Sequence, residues 1–159
     1  MPATPILTVT NDDTFLALLR TKLRDQLGPK GRIMVAASVD EACPLLKTAR
    51  ARLIVVHLAG DSGRYEQLDR LLWTTSVLSR PTPVVVIAER YRTDQATTMY
   101  RMGVSEYISR THHLDQLGDV LGAYLRPVTL SAVATAASDA SAKIWRANHS
   151  ASSRTAQVV

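Results

Sequence analysis

Short apolar runs alternate with amphipathic stretches along residues 5–126 of the chain. Five runs have the length and the β-branched content that favour β-strands. They lie at 6–10, 32–36, 53–56, 83–88 and 104–108. The third and fourth runs are almost entirely apolar, which indicates strands buried on both faces, as in a parallel sheet covered by helices.

Between these strands, apolar residues recur at helical spacing, which predicts five helices with one buried face each. Phe15, Leu19 and Leu23 mark the first helix, which Gly28-Pro29 should end because proline cannot continue a helix. The other four helices therefore follow strands two to five.

Local signals mark the ends of these later helices. Ser38 and Glu41 form a Ser-x-x-Glu capping box at the start of the second. Thr93 is the expected N-cap of a short fourth helix that Gly103 closes. Pro127 should end the fifth.

The order (βα)5 predicts an α/β fold with a doubly wound parallel sheet and right-handed crossovers. Ligands of such sheets bind at the carboxyl ends of the strands, near the point where strand order reverses. We therefore expect the functional residues to lie at these strand ends, which are Thr10 and Asn11, His57, Ala88 and residues 109–113.

The chain changes character after its first 127 residues, which we expect to form one domain. Residues 131–159 contain nine alanines and six serines. They have too few large apolar side chains to form a core of their own. We interpret 128–159 as a tail, with a docking helix predicted near 130–147.

Composition excludes some classes of function. The net charge is +5, but Lys and Arg are scattered among acidic residues and form no cluster with aromatic ones, which disfavours nucleic-acid binding. No apolar run approaches the ~18 residues of a membrane span. Cys43 is the single cysteine, and no signal peptide is indicated, so we expect a reducing, cytoplasmic location.

Four segments, taken in order, resemble the receiver domain of bacterial response regulators. They are 6–12, 53–58 with Gly63 beyond it, 83–88 and 103–110. The resemblance covers about residues 5–126 and implies a five-stranded, CheY-like (flavodoxin-like) sheet with strand order 2-1-3-4-5.

The resemblance also implies a pocket that has lost its chemistry. In receivers, two acidic residues after the first strand and an aspartate after the third hold Mg²⁺, and that aspartate accepts the phosphoryl group. A Ser or Thr and a Lys hold the phosphoryl oxygens. Here the matching positions are Thr10, Asn11, His57, Ala88 and Arg110. We therefore expect no metal and no other cofactor.

Two further positions follow from the same comparison. A shift of two residues would bring Asp12 and Asp13 to the acidic pair, but we expect them to cap the first helix and to point away from the pocket. Tyr107 matches an aromatic that switches between exposed and buried states in the family. The alternative is an ordinary half-buried tyrosine.

The sequence is compatible with three hypotheses for the role of His57. The favoured one is a histidine that fills the vacated pocket and hydrogen-bonds a neighbour such as Asn11. The others are phosphotransfer on a ring nitrogen, and metal binding together with His112 or His113.

We expect a degenerate receiver that acts in bacterial signalling through protein–protein interaction, independently of phosphorylation, and that is not an enzyme. We expect it to bind its partner through the face formed by the fourth helix, fifth strand and fifth helix. A homodimer could form through the same face. One alternative is a phosphorelay response regulator whose output region is not in this chain. An enzyme on the same fold is disfavoured, because no nucleotide-binding glycine motif or nucleophile elbow occurs.

Overall fold

The structure, a computed structural model, describes residues 5–29, 31–60, 65–78 and 82–126. Strands and helices alternate as β1 (Ile6–Val9), α1 (Asp13–Leu27), β2 (Ile33–Ala36), α2 (Val39–Thr48), β3 (Leu53–Leu58), α3 (Tyr65–Val77), β4 (Val84–Ala88), α4 (Thr93–Met102), β5 (Glu106–Ser109) and α5 (Leu117–Leu125). Contacts divide the chain into Met1–Leu125 and Arg126–Val159. The predicted tail at 128–159 and its docking helix lie outside the described residues.

The five strands form one parallel sheet in the order β2-β1-β3-β4-β5, which confirms the predicted fold class. Strand order reverses beside β1, since the chain moves outward to β2 and then crosses back to β3. All strands run in the same direction, so their carboxyl ends share one edge. This edge carries the candidate positions.

Helices cover both faces of the sheet, and β3 shows how side chains alternate between them. Ile54 and Val56 pack in a core cluster with α2, α3 and α4. Leu53 and Val55 pack in a second cluster with α1 and α5. By this alternation, His57 belongs to the α1 side of the sheet, where Phe15 is buried.

Helix ends follow the predicted signals with one exception. Ser38 Oγ accepts a hydrogen bond from Glu41 N–H, which confirms Ser38 as the N-cap of α2. The Glu41 carboxylate accepts from Ala37 N–H, one residue before the N–H that a standard capping box uses. The expectation that Thr93 caps α4 is wrong. Arg92, not Thr93, has the extended backbone of a cap residue, and its side chain makes no cap hydrogen bond.

Two smaller features complete the fold. Gly103 ends α4 in the left-handed conformation, with φ of 102°, as predicted. Cys43 is only partly buried on α2 and packs against the first core cluster. Within the described ranges, no helix is both long and apolar enough to cross a membrane.

Candidate functional site

The carboxyl edge of the sheet gathers polar side chains that are distant in sequence. We call this set the edge network. It consists of Thr10, Asp12, His57, Glu89 and Arg110. Thr10 follows β1, Glu89 follows β4 and Arg110 follows β5, so the parallel topology itself brings them together.

His57 is the buried centre of the edge network. Its side chain is 1% exposed, and its ring stacks on Phe15 with centroids 4.0 Å apart and planes within 6°. Nδ1 lies 3.1 Å from Thr10 Oγ1, and Nε2 lies 2.9 Å from Glu89 Oε1. Both ring nitrogens are therefore engaged.

The hydrogen bonds around Thr10 indicate which tautomer fits this arrangement. Thr10 Oγ1 accepts a hydrogen bond from Asp12 N–H at 3.1 Å, so its hydroxyl hydrogen is available for His57 Nδ1. An imidazole with its proton on Nε2 can then donate to Glu89. In this tautomer, inferred from the network, both ring nitrogens have a suitable partner.

Glu89 links His57 to Arg110 within the edge network. Its backbone carbonyl accepts hydrogen bonds from Ser109 Oγ at 3.2 Å and Thr111 Oγ1 at 2.8 Å, which fixes the start of the loop after β4. Its carboxylate accepts from His57 and, at 3.2 Å, from an Arg110 guanidinium nitrogen. The hydrogen bond from His57, with a further contribution from Arg110, lowers the pKa of Glu89 although partial burial opposes the shift.

Asp12 has a double role that corrects the expectation from sequence. One oxygen accepts from Thr14 N–H and Phe15 N–H, so Asp12 caps α1 as predicted. The hydrogen bond from Phe15 N–H is the main cause of its lowered pKa. Its other oxygen lies 3.4 Å from Arg110, so the side chain does not point away from the pocket. A carboxylate has two oxygens, and capping occupies only one.

Asn11 is not the partner of His57, contrary to expectation. Asn11 is exposed, whereas Thr10 is buried and supplies the hydrogen bond. The alternation of side chains along an extended segment explains this, because neighbouring residues point to opposite faces. Asp13 is likewise exposed in the first turn of α1.

His112 and His113 do not join His57. Nδ1 of His112 lies 3.1 Å from Ser109 Oγ, and Nδ1 of His113 accepts from Ser109 N–H at 2.9 Å. Both histidines thus stabilise their own turn after β5. In the described part of the chain, the set of three side chains suited to hold a metal is Asp12, His57 and Glu89, which includes neither.

The remaining predicted positions flank the network. Ala88 is buried, and its carbonyl accepts a hydrogen bond from Arg110 N–H at 2.7 Å. Tyr107 is 2% exposed rather than half-buried, and its hydroxyl donates to Gln95 Oε1 at 2.9 Å. Burial raises the pKa of Tyr107. Tyr107 is therefore more buried than the ordinary half-buried tyrosine of the alternative, and a switch between exposed and buried states stays a prediction.

Glu89 was missed in the sequence because the family resemblance assigns a role only to the preceding position, Ala88. A signal was nevertheless present. Glu89 is the first charged residue after an uninterrupted apolar strand, and the edge of a parallel sheet is where such a residue meets others.

The edge network does not fit the Mg²⁺ site that the resemblance implies. Magnesium prefers an octahedral set of carboxylate, water and other oxygen ligands. Thr10 and Asn11 are neutral at the first two positions, and His57 offers nitrogen at the third. No magnesium-dependent step can be assigned to these residues.

Comparison with known proteins identifies the fold. No protein-family model and no curated protein sequence matches the chain. A response regulator from Thermotoga maritima matches with a TM-score of 0.64 and 15% identity, over 77% of this chain and 98% of that one. A two-component response regulator from Clostridium difficile gives 0.63 and 18%, over 79% and 98%. The phosphorylated cyanobacterial phytochrome response regulator RcpA gives 0.58 and 22%, over 76% and 89%. The described domain therefore has the fold of response-regulator receiver domains.

Proposed function

We propose that this chain is a degenerate receiver domain that serves signal transduction by binding a protein partner, without phosphorylation and without catalysis of its own. The single observation behind the proposal is the state of His57. The residue at the acceptor position is buried and bonded through both ring nitrogens. It offers no carboxylate oxygen to a phosphodonor.

The surroundings of His57 also disfavour a phosphoryl group. Ala88 has no hydroxyl to hold a phosphoryl oxygen, and Arg110 already contacts Asp12 and Glu89. A phosphoryl group would carry about −1.5 to −2 charges next to these two carboxylates. Such like charges repel each other, although the partial exposure of Asp12 and Glu89 lets solvent screen part of the repulsion.

Phosphotransfer on the His57 ring is a weaker candidate because neither ring nitrogen is free. A nucleophilic nitrogen must be free to meet its donor, but Nδ1 and Nε2 both have partners and the side chain is 1% exposed. A conventional phosphorelay response regulator with an output region outside this chain would need acceptor chemistry that His57 and Ala88 do not offer.

The proposed contact surface is the face formed by α4, β5 and α5. Tyr100 on α4 is 46% exposed, and its hydroxyl donates to Glu106 at 2.8 Å on β5. Tyr91, just before α4, is 41% exposed. Tyrosine is enriched at the centres of protein interfaces. A second copy of the chain is one partner that this face would accept.

The rival surface lies on α3, where Trp73 is 67% and Val77 is 65% exposed. A partner recovered by pull-down decides between the surfaces. We expect Tyr100→Ala to weaken binding at least about tenfold and Trp73→Ala to leave it unchanged, since interface tyrosines often contribute more than about 1.4 kcal/mol. The reverse pattern would refute the proposed face.

Independence from phosphorylation is tested with the same partner. Affinity is measured for the wild type and for His57→Asp, each with and without acetyl phosphate and Mg²⁺. We expect no effect of the donor in either protein, because His57→Asp leaves Ala88 and the Thr10-Asn11 pair in place. A donor-dependent change in either protein would contradict the proposal.

A further inference from the structure

Three side chains of types that can bind metals converge in the edge network from separate parts of the chain. Asp12, His57 and Glu89 each offer one ligand atom, and these atoms all lie within 4.8 Å of one another. Ligand atoms around one Zn²⁺ ion are about 3.4 Å apart, given metal–ligand distances of about 2.1 Å. Small rotations of the two carboxylates would close this difference.

The charges at this place leave room for another cation. Arg110 contacts both carboxylates, at 3.4 Å from Asp12 and 3.2 Å from Glu89. Two carboxylates and one guanidinium carry a net charge of −1 when the imidazole is neutral. The side chains of Asp12 and Glu89 are 30% and 39% exposed, so an ion can reach them from solvent.

The buried histidine is already oriented as a metal ligand would be. A ligating imidazole normally uses one nitrogen for the metal and donates the other N–H to a fixed acceptor. Thr10 Oγ1 lies 3.1 Å from Nδ1, and stacking on Phe15 holds the ring plane. If the ring proton moves from Nε2 to Nδ1, Nε2 becomes free to bind a metal and the imidazole loses no proton.

We propose that Asp12, His57 and Glu89 form a binding site for a divalent transition-metal ion such as Zn²⁺, which displaces the Arg110 guanidinium. Imidazole together with carboxylates suits zinc and its neighbours, whereas magnesium prefers oxygen alone. Three protein ligands leave a fourth position for water. This donor set differs from the magnesium set that the resemblance implies, and the inference does not rest on the proposed function.

The test is isothermal titration calorimetry of the chelator-treated full chain with ZnCl₂ and, separately, with MgCl₂. We expect one Zn²⁺ per chain and no resolved heat with millimolar Mg²⁺. Glu89→Gln and Asp12→Asn should each weaken zinc binding at least about tenfold, since even outer partners of a metal site contribute about 10–100-fold. Asn is as good an N-cap as Asp, so Asp12→Asn keeps α1 capped.

Three more variants, Arg110→Gln, Asp94→Asn and His112→Ala, complete the design, with folding of every variant checked by circular dichroism. Arg110→Gln should tighten zinc binding, because it removes the competing cation. Asp94→Asn is the matched control. It removes a carboxylate that pairs with Arg92 on the surface, and binding should stay at the wild-type level.

Several outcomes would overturn the proposal. They are the absence of zinc heat with the wild type, equal binding of Mg²⁺ and Zn²⁺, and wild-type zinc binding by Glu89→Gln and Asp12→Asn. Zinc binding that is lost in His112→Ala and kept in Glu89→Gln would place the ion on the turn after β5, which also contradicts the proposed site.

Discussion

Two polar networks of this domain differ in what they connect. The edge network joins residues that are far apart in sequence around the buried His57. Asp12 and Arg110, for example, are 98 positions apart. The second network, on α4 and β5, joins Tyr100, Glu106 and the backbone of Tyr107 within seven positions, with the Tyr100 ring exposed.

We interpret the edge network as structural, and the α4–β5 network as part of the contact surface proposed above. In the edge network, polar groups satisfy one another in a partly buried place, where an unpaired group costs about 1–3 kcal/mol. On the α4–β5 surface, the Tyr100–Glu106 hydrogen bond is exposed, so water can replace either partner and the bond contributes little to stability. The Tyr100 ring is 46% exposed. Mutations should therefore destabilise the first network and spare the second.

Replacement of the buried imidazole should have the largest effect. His57→Ala removes the ring stacked on Phe15 and leaves Thr10 and Glu89 without their partner. We expect the free energy of unfolding, measured by urea denaturation, to fall by about 2–4 kcal/mol. The control is His112→Ala, an exposed histidine, which should cost under about 1 kcal/mol. Equal losses in the two variants would remove the distinction between the networks.

Thr10→Val tests one link of the edge network with little change of shape. It leaves His57 Nδ1 and the Asp12 N–H without the Thr10 hydroxyl, and we expect a loss of about 1–2 kcal/mol in the same urea assay. Thr98→Val is the matched control, since the Thr98 hydroxyl bonds a carbonyl on the exposed face of α4. A loss at Thr98 as large as that at Thr10 would argue against a special role of the edge.

Acid should weaken the edge network through Glu89. Its pKa is lowered in the folded state, so its contribution to stability is present above the ordinary value of 4.5 and is lost as pH falls through the lowered folded value. Among the residues that the structure describes, the charged or titratable groups next to this carboxylate are His57, Arg110 and Asp12.

The measurement is urea denaturation of wild type and Glu89→Gln in chelator-containing buffer between pH 7 and pH 3. The wild type should be the more stable at pH 7, and its advantage should shrink below pH 4.5. Glu66→Gln, an exposed change on α3, should follow the wild-type curve. An advantage of the wild type that stays constant down to pH 3 would contradict the shift.

The smallest effect should come from the exposed network. Tyr100→Phe removes the hydroxyl that donates to Glu106 and accepts from Tyr107 N–H. We expect the free energy of unfolding to change by less than about 0.5 kcal/mol, as for most surface substitutions. A loss above 1 kcal/mol, as large as that of Thr10→Val, would show that this network is structural too.

The sheet and its helices could be predicted because apolar patterning determines them directly. The uninterrupted apolar run at β4 and the periodic Phe15, Leu19 and Leu23 of α1 needed no knowledge of distant contacts. The site was predictable only in part. His57 and Arg110 follow from strand ends, and the position of Glu89 after β4 places it at the same edge. Its particular partners, His57 and Arg110, depend on how the loops meet, which no local pattern encodes.

Two incorrect expectations have a common physical source. The first concerns Asp12, which we expect only to cap α1, whereas its second carboxylate oxygen also contacts Arg110. The second concerns α4, whose N-cap is Arg92 and not Thr93. Helix-end signals indicate which residue types suit a terminus. They do not fix the exact backbone geometry, which depends on how the preceding loop is held.

The central claim is that the edge network cannot accept a phosphoryl group. The most direct test is intact-mass spectrometry at neutral pH after incubation with acetyl phosphate and Mg²⁺, with a receiver domain that has the acceptor aspartate as the positive control. We expect the mass of this chain to stay unchanged while the control gains one phosphoryl group. A gain of one phosphoryl group by this chain, abolished in His57→Gln, would contradict the account.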